Sequence, residues 1–496
     1  MRPVHHSRHL SRSLIATAAL LACAASQAAT INIQSRDPAG VGFNDTTPVA
    51  PVGGNPGTTL GQQRMNVYRY VADIWERNLQ SNVTITVSAG WEALTCTSSS
   101  AVLGSAGAWN IWRDFPGAAV ANTWYPQALA NKLAGENLSA GNPDDGSGFG
   151  NVDIKTQFNI NLGKTGCLDG SGFYLGLDGN AGSQVNFATT LLHELGHGLG
   201  FSVLTVQTST GNRLNAAGSG YVAVGGLPSI WERHMFDNTL GKTWLNMTSP
   251  ERRFSAINPL QLAWIGPNAV AGASILRPIP VLKTTSPAAG GSLSMDFNAS
   301  PFGVVPPAGT LGALTTIATQ SGELGPGCSP FDNTNAAAVR GKVPIISRGG
   351  CTFAIKVKNA QDAGAVGAVL ANNVAGALLP GGTDGSITIP SFGVSQADGE
   401  ALKAAVAAAK GYGTRGQPGQ VTAILGSDPT RIAGADARGR PLLYTPNPLA
   451  SGSSVSHWDV TASPNLLMEP NINADLTNTL VPPKDLTLPL LKDMGW

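Results

Sequence analysis

Gln184-Val185-Asn186-Phe187-Ala188-Thr189-Thr190-Leu191-Leu192-His193-Glu194-Leu195-Gly196-His197-Gly198-Leu199 is the stretch that decides how this chain is read. Its spacing predicts a helix from about Gln184 to Leu199, with Phe187, Leu191, Leu195 and Leu199 as the buried stripe. Histidines four residues apart stand one turn apart on a single helix face, so both rings can reach one metal ion. Glu194, beside the first histidine, can meet a water held at that ion without being a ligand itself. The pentapeptide His193-Glu194-Leu195-Gly196-His197 therefore points to a zinc site with His193 and His197 as ligands and Glu194 as general base.

A catalytic zinc takes three protein ligands and keeps a fourth position for water. Few candidates exist for the third. Once the leader described below is removed, the histidines are His193, His197, His234 and His457. Glu232, two residues before His234, is a further candidate.

Gly200, three residues past His197, lets the chain turn sharply at the helix end. The segment resembles the metzincin peptidases, whose third histidine closely follows that glycine, but Val203 stands at that place here. The match extends better to the leishmanolysin-like branch. Ser456-His457-Trp458-Asp459 and then Asn465-Leu466-Leu467-Met468-Glu469-Pro470 resemble its histidine-tryptophan pair and methionine-containing turn. The resemblance implies His457 as third ligand and Met468 in a turn beneath the zinc. His457 lies 260 residues past His197, longer than the plain pattern. Two assignments stay open beside it: Glu232, as in thermolysin-like peptidases, and His234.

The long gap holds a segment of its own character. Residues 285–426 resemble a protease-associated (PA) domain. The matching stretches are Gly341-Lys342-Val343-Pro344-Ile345, Arg348-Gly349-Gly350-Cys351-Thr352-Phe353, Lys356 to Ala363, and Ile389-Pro390-Ser391-Phe392-Gly393-Val394. Such a domain is accessory and carries no catalysis, and the resemblance implies a disulfide between Cys328 and Cys351.

The expected fold class is mixed α/β (α+β): a metzincin-like two-lobed catalytic unit with an inserted small α/β PA domain. Its parts are a signal peptide (1–29), an N-terminal catalytic part (30–284), the insert (285–426) and a C-terminal catalytic part (427–496). Within the N-terminal part, Gly61 to Leu79 reads as an amphipathic helix and Val83 to Val87 as a strand. Trp124 to Leu133 reads as a short helix. Asp153 to Leu162 alternates apolar Ile154, Phe158, Ile160 and Leu162 with polar Asp153, Lys155, Gln157, Asn159 and Asn161. That strand is expected at a sheet edge, where an extended peptide could pair with it.

Arg2, Arg8 and Arg12 precede the apolar run Leu14 to Ala25, and Ser26-Gln27-Ala28 supplies small residues for cleavage near Ala28 or Ala29. Export to the periplasm or medium is the expectation, with lipid anchoring at Cys23 as the alternative. Four cysteines then remain, Cys96, Cys167, Cys328 and Cys351, an even number that suits two disulfides in an oxidising compartment. A formal net charge of +1 with 12% charged residues gives no footprint for nucleic acid or an anionic membrane, and no later stretch is apolar enough for a membrane helix.

The function expected is a secreted zinc-dependent endopeptidase acting on protein or peptide substrates with one catalytic zinc. A noncatalytic zinc-containing binding or adhesion protein is the alternative of another class. Asp144, Asp145, Asp169 and Asp178 in glycine-rich loops are candidate Ca2+ ligands without EF-hand spacing. A serine peptidase would need its own histidine, aspartate and serine segments, and none is found.

Overall fold

A computed structural model describes residues 27–141, 151–413, 418–473 and 475–496. Residues 1–26 of the expected leader, with Cys23, fall outside these, as do Asp144 and Asp145. The chain divides into two compact units. One is drawn from residues up to Leu204 with Leu227–Ile230 and Met494–Trp496, the other from Thr205–Gly226 and Trp231–Asp493. Among the described residues no helix is long and apolar enough to cross a membrane.

The first unit is built on β1 (Ile31–Ser35), α1 (Leu60–Asn78), β2 (Ile85–Glu92), β3 (Gly104–Ala108), α2 (Gln127–Ala134), β4 (Ile154–Asn159) and α3 (Phe187–Gly198). The strand order is β1-β2-β4-β3, with β1, β2 and β4 parallel and β3 antiparallel to β4. The helix expected over 61–79 forms one residue earlier at each end, because the Thr59 side chain caps it by accepting from the Gln62 N–H. Its buried face carries Val67, Tyr68, Val71, Ala72 and Trp75. The Tyr68 and Thr156 hydroxyls, 2.8 Å apart, tie it to β4.

The strand expected at the edge lies inside the sheet instead. β4 is flanked by β2 and β3, and the edges are β1 and β3. Alternation reports which faces a strand has, not how many neighbours it has, so it could not tell these cases apart. Asp153, assigned to a polar face, is buried: its carboxylate accepts from Thr86 N at 2.7 Å, Asn131 Nδ2 at 2.7 Å and Gln127 Nε2 at 3.0 Å. It thereby pins α2 to the sheet, and burial raises its pKa to about 6.

In the second unit, the segment from Pro278 to Ile432 forms one eight-stranded sheet. Its strands lie in the order Ser294–Met295, Pro278–Thr285, Thr422–Ile432, Gly309–Thr316, Val343–Ser347, Ala368–Ala371, Ser391–Val394 and Asn298–Ala299. Alternate residues feed two cores. Ile345 and Val369 pack with Leu402 and Val406 of the helix Gln396–Ala409, while Ile346 and Leu370 pack with Val357 and Ala360 of the helix Phe353–Asp362. The sheet starts before 285 and ends after 426, because the first and last strands pair antiparallel from Thr285↔Thr422 down to Pro278↔Ile432. Pro278 and Pro280 hid the first of them from a propensity reading.

The two ends of this segment thus lie side by side. Removing Val281–Gly426 and joining Pro280 to its cross-strand partner Ser427 by a short flexible linker is expected to leave a folded chain that still binds zinc. Metal analysis and circular dichroism of the shortened protein check this. An unfolded, metal-free product would mean that the insert is part of the catalytic unit.

Candidate metal centre

α3 is held from both ends. The Asn186 side chain caps it by accepting from Thr189 N at 3.2 Å. Phe187, its first residue, sits among Trp91 and Phe158, each with its ring centroid 4.9 Å away. At the other end a Cβ on Gly198 would come within 2.4 Å of the Ile154 side chain, so only glycine lets the last turn rest on β4. Gly200 follows with φ +118°, a left-handed backbone that reverses the chain at the place expected from the sequence.

The reversal orients His197. It brings the Phe201 carbonyl 2.7 Å from His197 Nδ1, so Nδ1–H donates to it and Nε2 keeps its lone pair. His193 Nε2 lies 3.1 Å from His197 Nε2, with the rings at 81°. Two nitrogens ~2.05 Å from one tetrahedral ion would stand about 3.3 Å apart, so this pair fits zinc. Both histidines and Glu194 are buried. The Glu194 carboxylate accepts the Ala106 N–H of β3, and burial, the larger effect, raises its pKa to about 8.

The same device recurs in the second unit. His457 Nδ1 lies 2.9 Å from the Ser453 carbonyl, which fixes the proton on Nδ1 and leaves the lone pair on Nε2. The His457 carbonyl accepts from Tyr444 N at 2.9 Å, and the next residue, Trp458, donates its backbone N–H to the Met468 carbonyl at 2.8 Å. The methionine turn is clamped in turn: Leu466 N donates to Glu469 Oε1 and Leu467 N to Asp485 Oδ1, at 2.7 and 2.8 Å. Burial raises the pKa of both carboxyls, that of Glu469 to about 7. Met468 itself is fully buried.

The rival ligands have other work. Glu232 is buried in an ion pair with Arg213, 2.7 Å away, and also accepts from the Thr205 hydroxyl. His234 stacks on Trp264 with ring centroids 5.1 Å apart, and burial lowers its pKa. Asp169 accepts from Gly166 N, and Asp178 from the Tyr174 hydroxyl and Asn180 N, so each carboxylate folds its own loop. Among the described residues, no three acidic side chains converge closely enough to hold a cation. Sequence reasoning missed the supporting groups Ala106, Phe201, Ser453 and Asp485. Three of them act through backbone atoms, which leave no signal in side-chain identity.

The cysteines pair as Cys96–Cys167 and Cys328–Cys351.

Residues 317–402 match the PA domain family. Leucine aminopeptidase 2 of Arthroderma otae is 37% identical over 118 residues, 23% of this chain and 22% of that protein. The receptor homology region, transmembrane domain- and RING domain-containing protein 1 of Oryza sativa subsp. japonica is 42% identical over 78 residues, 15% of each chain. A zinc aminopeptidase of Bacillus subtilis, BSAP, is similar over 33% of this chain and 37% of its own at 20% identity, with a TM-score of 0.20. The chain thus spans under a quarter of the length of these curated relatives. A shared stretch of that size in proteins named so differently amounts to one domain and does not carry an activity with it. The sheet between Pro278 and Ile432 contains a PA domain.

Proposed function

We propose that this chain is a zinc metallopeptidase in which His193, His197 and His457 hold the ion and Glu194 is the general base. The observation that carries the reading is the buried pair of Nε2 atoms 3.1 Å apart on α3, with the buried carboxylate of Glu194 directly after the first histidine. His457 suits the third position, because its Nδ1 is engaged as that of His197 is. Zinc, when bound there, supplies a Lewis acid for the scissile carbonyl and acidifies water.

The chain's own groups do the rest. Glu194 removes a proton from the attacking water and returns it to the leaving amine. The edge strand β3 holds the substrate backbone. Leu103 O accepts from Asn159 N and Trp109 N donates to Asp153 O, so odd-numbered residues turn their backbone groups to β4. By the two-residue repeat, those of Gly104, Ala106 and Ala108 face the free edge, where Ala106 N–H reaches Glu194. An extended peptide added along that edge runs past Glu194 with strand on both sides of it.

Strand on both sides suits cleavage within a chain, hence an endopeptidase. The aminopeptidase relatives favour a second reading, removal of single N-terminal residues. Paired peptides with free and acetylated N-termini separate the two. An endopeptidase is expected to cut both at the same internal bonds, whereas an aminopeptidase releases single residues from the free form alone. Mass spectrometry of the products reads the difference.

A further inference from the structure

At the root of the insert the second unit carries a hollow whose residues take no part in the proposed cleavage. Its volume of about 410 Å3 falls within the span of small-molecule sites, roughly 300–1,000 Å3. The strands Pro278–Thr285 and Thr422–Ile432 give it Ile279 and Ile432, at the bulge that shifts their register between Pro278 and Ile279. Its other large apolar residues are Leu442, which is buried, and Leu260, which is 45% exposed. Leu260 also has φ +63°, a left-handed backbone that a branched side chain disfavours and glycine tolerates. Packing within the chain does not account for a half-exposed leucine on such a backbone, and strain of this kind is kept where a site uses it.

Two polar side chains of the same hollow are uncommitted. Gln261 donates its backbone N–H to the Asn258 carbonyl and accepts from Asn238 N. Among the described residues, nothing hydrogen-bonds to its side-chain amide. Arg438 donates its backbone N–H to Asp436 Oδ1, but among the described residues no carboxylate pairs with its guanidinium. The acid in the wall is already satisfied. Asp436 accepts from Arg440 Nε at 2.7 Å, Arg440 N at 3.0 Å and Asn238 Nδ2 at 3.1 Å. Arg440 thus offsets Asp436, and the positive charge of Arg438 is left over.

We propose that this hollow binds an apolar carboxylate. The apolar body lies against Leu260, Ile279, Ile432 and Leu442, the carboxylate meets Arg438, and the Gln261 amide donates a further hydrogen bond. A guanidinium offers two parallel N–H groups that match the two oxygens of a carboxylate. The carboxyl end of a peptide with an aliphatic last residue and a short fatty acid share this chemistry. The site goes beyond the peptidase reading and stands without it.

Calorimetric titration of the full chain with N-acetyl-leucine and with hexanoate tests this. Saturable binding is expected, and the tighter of the two acids tells the peptide source from the fatty-acid source. The matching uncharged amide should bind at least about threefold more weakly, and Arg438→Gln should remove that difference by weakening the acid. Leu260→Gly should weaken acid and amide alike by about tenfold, through lost apolar contact. Glycine suits the left-handed backbone at 260, so the thermal melt of this variant should stay near that of the unaltered protein. Absence of saturable binding by either acid overturns the proposal. Unchanged affinity for the acids in Arg438→Gln or in Leu260→Gly does so too, since the acids would then be bound elsewhere.

Discussion

Glu194→Ala is expected to keep zinc at one ion per chain while peptide hydrolysis falls by at least ~10²-fold, the contribution of general-base catalysis. The reason is local. Glu194 lies between His193 and His197 on α3 and points to the edge strand, where it accepts the Ala106 N–H. Its loss leaves the His193 and His197 rings in place, because those rest on the helix, on Gly198 against Ile154 and on the Phe201 carbonyl. Glu194→Gln keeps the volume and a hydrogen-bonding oxygen but cannot accept a proton, so it should fall as far as alanine. Peptide turnover beside metal analysis of the same samples checks both variants. Retained activity in a zinc-loaded Glu194→Ala protein would refute the mechanism, whereas loss of zinc would show that the carboxylate is a ligand.

His457→Ala is expected to weaken zinc binding by more than ~10²-fold, since groups one shell further out already cost 10–100-fold when removed. Activity should disappear with the metal and the fold should stay, because His457 sits in a turn held by the Tyr444, Trp458 and Met468 backbone bonds. His234→Ala should bind zinc as the unaltered protein does. Glu232→Gln should also bind it, although leaving Arg213 without its charged partner lowers stability. Calorimetric zinc titration with a thermal melt on each variant separates ligand loss from unfolding. If His234→Ala loses zinc and His457→Ala retains it, the leishmanolysin-like ligand set is wrong, though the helix motif stands.

How much of this was legible in advance depended on the range of the interactions. A helix over about 184–199 and its paired histidines were legible from a spacing of four and the glycine at the exit, and the Asn186 cap starts it at Phe187 instead. A strand over 153–162 was legible from its alternation and forms over Ile154–Asn159, and the core of the insert was legible from its own motifs. β3 was not. Gly104-Ser105-Ala106-Gly107-Ala108 has no β-branched or aromatic residue, and it is a strand only because β4 offers it an edge.

The sequence by itself determined the chemistry of α3, since helix geometry alone sets two imidazoles one turn apart with a carboxylate beside them. It also carried enough resemblance to point to His457 and to the Cys328–Cys351 pair, now seen as a disulfide. Tertiary structure alone decided which strand lies at the edge, since strand order is set by pairing between distant segments and not by the pattern within one. It decided which nitrogen each histidine offers, because carbonyls of Phe201 and Ser453 fix the protons on Nδ1. It decided, too, that Glu232 is spent on Arg213, nineteen residues away in sequence and 2.7 Å away in space. Periodicity is written in side chains, whereas backbone carbonyls and long-range partners take their meaning only once the chain has closed on itself.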